Sequence, residues 1–99
     1  MNVTFRDQRL GKLETDAGFD GGYPQATVKA FRKRMQYLRA VTDERAIYEL
    51  KSLRFEKLKG NRSHQHSIRL NDQWRLILEF DGEAPNKKIV IVAIDDYHH

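Results

Sequence analysis

The apolar residues of this chain keep a helical period in its first half and a strand period in its second. That single change limits the fold to one with both helices and a sheet. Val28, Phe31, Met35 and Leu38 recur at steps of three and four, which is one face of an amphipathic helix. Pro24 sits where that helix would begin, since its missing N–H costs nothing there. Lys29, Arg32, Lys33, Arg34 and Arg39 take its other faces. Thr42 reads as the N-cap of a second, short helix running to about Leu50, with Asp43 and Glu44 favourable near its positive end. That helix is expected to bury Ile47 and Leu50.

After Arg62 the period becomes two. His66, Ile68 and Leu70 share one side of a strand, and Gln65, Ser67 and Arg69 share the other. Asn71-Asp72 reads as a tight turn, because both residues tolerate left-handed backbone. Trp74, Leu76, Leu78 and Phe80 then alternate with Gln73, Arg75, Ile77 and Glu79, which points Arg75 away from the core. Residues 81–86 form a loop containing Gly82 and Pro85. Residues 89–94 are nearly all β-branched, as expected of a central strand covered on both sides. Ahead of all this, residues 2–7 read as a short strand with Val3 and Phe5 on one side. Residues 8–17 read as a short helix with Leu10 and Leu13 inward, broken by Gly18, Gly21 and Gly22.

The order strand, helix, helix and three strands predicts an α+β domain, with helices on one face of a twisted antiparallel sheet. Its 99 residues suit one domain, spanning 1–99, without repeat or linker. The longest apolar run, 89–94, falls far short of the ~20 residues that span a bilayer, and the N-terminus lacks a signal pattern. Without cysteine there are no disulfides or thiolate metal sites. A cytoplasmic protein with no membrane contact is expected.

The formal charge is +4, but it is unevenly placed. Residues 29–69 carry twelve Lys or Arg against four Asp or Glu, and the rest of the chain six against ten. A basic middle suggests a polyanionic partner, most simply nucleic acid; a solvated helix face is the plainer alternative. Polar residues gather in two places. One is the basic loop with Glu56, Lys57, Lys59, Arg62, His64 and His66; the other is Asp95-Asp96-Tyr97-His98-His99. Cleavage of RNA by its own 2′-hydroxyl needs a proton acceptor, a proton donor and a cation for the crowded phosphate. Arg, His and carboxylates supply these, and Tyr can stack on a base. His64 and His66 lack a third ligand, and no metal or other cofactor is expected. Taken singly, each of these residues also fits a solvated surface.

Together they resemble a family. Leu58-Lys59-Gly60-Asn61-Arg62, followed by His66-Ser67-Ile68-Arg69-Leu70-Asn71-Asp72-Gln73-Trp74-Arg75-Leu76, resembles the core motif of HigB-type toxins of the RelE/ParE superfamily. Asp96-Tyr97-His98 resembles their C-terminal triplet. The similarity is best from about Pro24 onward. It implies a compact microbial ribonuclease fold of order β-α-α-β-β-β, a curved antiparallel sheet with helices on one face. It implies metal-independent, ribosome-dependent cleavage of messenger RNA in the A site. It also implies a HigA-like helix-turn-helix antitoxin, through which operator DNA is bound indirectly.

Carried over by position, the resemblance assigns Arg75 and Lys59 to phosphate charge, His98 and Asp96 to proton transfer, and Tyr97 to substrate positioning. Lys29, Arg32, Lys33, Lys57, Arg62 and Arg69 are expected to bind RNA or the ribosome. Where some relatives carry histidine, three positions before Lys59, this chain has Glu56. Its carboxylate is a candidate base that would repel phosphate unless paired. Two other functions share these features: a ParE-like gyrase poison, and a non-catalytic module that binds nucleic acid or protein.

Overall fold

The computed structural model describes residues 1–96 of the chain. Strand β1 (Val3–Phe5) leads into helix α1 (Gln8–Thr15), whose first turn is capped by the Asp7 carboxylate accepting from the Arg9 N–H. Helix α2 (Gln25–Ala40) follows Pro24 and buries Val28, Phe31, Met35 and Leu38, the stripe read from the sequence. Helix α3 (Glu44–Glu49) is capped by Asp43 rather than Thr42, because the Asp43 carboxylate reaches the Arg45 N–H and pairs with its guanidinium. Ile47 is buried as expected, but Leu50 is exposed. The chain leaves α3 for a 3₁₀ turn, Lys51–Leu53, and Leu53 goes inward in its place.

Four strands complete the domain: β2 (Glu56–Lys57), β3 (His66–Arg69), β4 (Trp74–Asp81) and β5 (Lys88–Asp96). They form one sheet in the order β1-β5-β4-β3-β2. The α+β class stands as read; all three helices read along the chain are present, although the order strand, helix, helix and three strands counted only two, and the structure adds the two-residue strand β2. The sheet is mixed rather than wholly antiparallel, because β1 lies parallel to β5 while the other pairs are antiparallel. The long helical connection after β1 permits this, as a hairpin could not. The β3–β4 turn also forms differently. Neither Asn71 nor Asp72 takes left-handed backbone; instead the Asn71 side chain accepts from the N–H groups of Gln73 and Trp74.

The helices cover one face of the sheet. Ile68, Leu70, Leu76, Leu78, Ile89, Ile91 and Ile94 join the buried helix residues in a single core. Strand β5 is therefore not buried on both sides, and Val90, Val92 and Ala93 are only half-buried. It also carries a bulge: Ile77 faces Ala93 and Leu78 faces Ile91, so Val92 is an extra residue. The bulge resets the alternation. Ile89, Ile91 and Ile94 all point into the core, and Asp95 points to the face without helices.

Candidate active site on the open sheet face

Arg75 lies on β4 level with Arg69 of β3 and Asp95 of β5, so the three form a row on the open face. Arg75 is only 8% exposed, and a guanidinium cannot be desolvated without partners. Its Nη2 donates to the Ser67 hydroxyl at 2.7 Å, to the Arg54 carbonyl at 3.0 Å and to Glu56 Oε1 at 3.3 Å. Each acceptor has a structural cause. Ser67 is the β3 residue opposite Ile77 on the same face. Glu56 pairs with Ser67 across β2 and β3, which brings its carboxylate to that face as well. Arg54 sits at φ 47° and ψ 49°, the only non-glycine residue at positive φ among those described. This costly conformation turns its carbonyl toward the guanidinium. The Glu56 side chain stays 61% exposed, so the site is a fixed buried cation with an accessible carboxylate at its mouth.

A second polar group lies two pleats along β4. Glu79 accepts both Arg6 nitrogens, at 2.9 and 2.6 Å, and the Gln65 amide at 2.9 Å, with His64 at 3.5 Å. The Arg6 and Gln65 hydrogen bonds hold its carboxyl down at about 2. Arg62 joins the two groups: its Nε donates to Gln65 Oε1 at 2.9 Å and its Nη2 to Asp95 Oδ2 at 3.3 Å. Arg69 pairs with Asp72.

The residues read from the sequence divide accordingly. Arg75, Glu56, Arg62 and Arg69 share the open face. Asp96 faces Trp74 across the strands, on the helix side, and accepts from the Gln73 amide at 3.1 Å. Tyr97 and His98 lie outside the described residues. Lys59 is exposed where the chain enters the 3₁₀ turn Gly60–Arg62. Lys57 is exposed and pairs with His66, on the opposite side of β2 from Glu56.

His66 belongs to the core side, stacked on Phe55 at 4.9 Å and edge-on to Phe80. Burial lowers its pKa, with Glu44 opposing and Lys57 and Lys87 assisting. Lys29 and Lys33 are exposed on α2, across the sheet from Arg75. Arg32 is engaged within the fold, its Nε and Nη2 donating to the carbonyls of Leu13, Asp16 and Phe19 at 3.0–3.2 Å.

Ser67 was not among the site residues read from the sequence, although alternation already put it with Arg69. Asp95 was read only as part of the C-terminal polar run, without a role, and the bulge hid which face it takes. Among the described residues, no three His, Asp or Glu side chains gather as metal ligands, and no helix is long and apolar enough to cross a membrane.

Solved structures share this fold. The chain resembles the YoeB/ParE toxin from Agrobacterium tumefaciens, with 14% identity, 99% of this chain and 100% of that one covered, and a TM-score of 0.58. It also resembles the toxin fold in the YoeB–YefM complex from Staphylococcus aureus, with 23% identity, 100% and 98% coverage and a TM-score of 0.56. The fold is that of small RelE/YoeB-like toxins. Residues 3–98 match the family described as RelE-like toxin of type II toxin–antitoxin system HigB, and the chain belongs to that family. No curated protein matches the sequence.

Proposed function

We propose that this toxin is a ribosome-dependent endoribonuclease that cuts messenger RNA in the cytoplasm and is silenced by a HigA-like antitoxin. The observation that carries the reading is the Arg75–Glu56 pair. The guanidinium is held rigidly by a hydroxyl, a carbonyl and a carboxylate, and preorganised charge of this kind stabilises a crowded phosphate. The Glu56 carboxylate is placed to accept the proton of an attacking 2′-hydroxyl. The oxygen of that hydroxyl bonds to the adjacent phosphorus as the bond to the 5′-oxygen breaks. His98, within the family match, protonates the departing 5′-oxygen. The products are a 2′,3′-cyclic phosphate and a 5′-hydroxyl. Lys59 adds charge to the phosphate, and Tyr97 positions the base.

In this scheme Asp96 acts from the other face of β5, by fixing the strand end through Gln73 rather than by touching RNA. Lys29 and Lys33, exposed on α2 on the helix side of the sheet rather than on the face of Arg75, engage the ribosome. The test is to add purified protein to translating ribosomes and map the message ends. New 5′-hydroxyl ends at A-site codons support the reading. Gyrase-linked DNA breaks without message cleavage would replace it with a gyrase poison, and neither activity would leave a binding module.

A further inference from the structure

We propose that Asp95 and Arg62 form an exchangeable latch across the candidate site, in which Asp95 occupies Arg62 until an RNA phosphate takes its place. This rests on the ribonuclease reading and names a residue that regulates access to that site.

The register defines the path of the latch. His66 lies opposite Leu78, so Gln65, the partner of Arg62, stands at the level of Glu79. Asp95 stands at the level of Arg75. Strand β4 separates β3 from β5. To reach Asp95, the Arg62 side chain must therefore run back along the open face and across β4, over the strip holding Ile77. Ile77 is only 3% exposed although no helix covers that face. The arm ends at Asp95, the β5 neighbour of Arg75 on the open face, and so lies beside the approach to the guanidinium.

The pair is built to open. Arg62 and Asp95 remain 48% and 39% exposed, and exposed pairs of this kind contribute little. A phosphodiester offers the same guanidinium a better bidentate partner. The Nε–Gln65 bond is independent of Asp95 and keeps Arg62 anchored while Nη2 changes partner. The charges of the face also favour exchange. Arg6, Arg62, Arg69 and Arg75 each already hold a carboxylate, so bulk attraction is weak there and binding must proceed by replacing one anion with another.

The experiment measures binding of a short single-stranded RNA with 2′-methoxy groups, which cannot be cleaved, to the full chain. The wild type, Asp95→Asn, Arg62→Ala and the double variant are compared, each checked for folding by circular dichroism. Asp95→Asn keeps the side-chain shape and removes the competing charge. Binding should tighten about two- to fivefold, the scale of an exposed ion pair, and the gain should vanish in the Arg62→Ala background. Unchanged or weaker binding by Asp95→Asn would overturn the latch while leaving the RNA reading intact. A gain that persists without Arg62 would also overturn it, as general electrostatics. If the wild type and every variant fail to bind, the latch is overturned, since no phosphate takes the place of Asp95 on Arg62, while message cleavage on translating ribosomes still decides the nuclease reading.

Discussion

His66 shows how a residue type that suggests catalysis can be claimed by packing. Its imidazole stacks on Phe55, and its Nδ1 is buried without a hydrogen-bond partner. Burial favours the neutral ring, so its folded pKa lies below that of the unfolded chain. Its contribution to stability is fully present above the unfolded value of ~6.5 and is lost as pH falls through the folded value, because the unfolded chain takes up the proton first. Unfolding by urea should therefore become easier between pH 7 and pH 5. Glu79 adds little in that window, because its contribution is lost only as pH falls below the ordinary carboxylate value of 4.5 toward about 2. His66→Phe keeps the ring stack and removes the titration, and should flatten this decline. An unchanged slope in the variant would assign the pH dependence to other groups.

At the scale of elements, the turn after α3 and the bulge in β5 do most to build the site. The left-handed residue at the end of the 3₁₀ turn is Arg54, which carries a steric cost of about 1–2 kcal/mol that glycine would not. Arg54→Gly should leave stability within about 1 kcal/mol of wild type, because relief of strain is offset by the entropy of a freer unfolded chain. Arg54→Val should destabilise by about 1–2 kcal/mol or more, since a β-branched side chain fits this conformation worst. Urea midpoints of the two variants check this, and equal midpoints would contradict it.

These two features also mark the limit of what could be read from the sequence. Periodicity gave the core stripe of α2, the alternation of β3 and β4, and the direction of Arg75. It did not reveal the bulge, because Val, Ile and Ala at 89–94 suit either face of a strand. A regular strand with Ile89 and Ile91 inward would have turned Asp95 in and Asp96 out. Nor does an arginine announce left-handed backbone, and pairs such as Arg62–Asp95 or Arg6–Glu79 depend on strand order, which the chain encodes only through tertiary packing. The parallel β1–β5 pair escaped for the same reason.

The whole molecule separates two kinds of positive charge. On the open face the guanidinium groups are paired with carboxylates, whereas Lys29 and Lys33 on α2 are exposed on the other side. The double variant Lys29→Ala/Lys33→Ala should weaken ribosome association and reduce its salt slope by about one to two, as for lost phosphate contacts. Cleavage by pre-bound toxin should stay near wild type. Loss of the cleavage step itself would place these lysines at the reaction.

In the proposed reaction the buried guanidinium of Arg75 acts on the scissile phosphate. Single-turnover cleavage of message on saturating ribosomes checks this role, comparing wild type with Arg75→Ala and Arg75→Lys after matching their folded fractions by circular dichroism. Alanine should lower the cleavage rate by about 10²–10³. Lysine should rescue incompletely, because it keeps the charge but replaces the planar guanidinium, whose Nη2 alone already holds Ser67, Arg54 and Glu56, with a point donor that cannot also offer a phosphate paired N–H groups. Wild-type rates in a folded Arg75→Ala variant would contradict it.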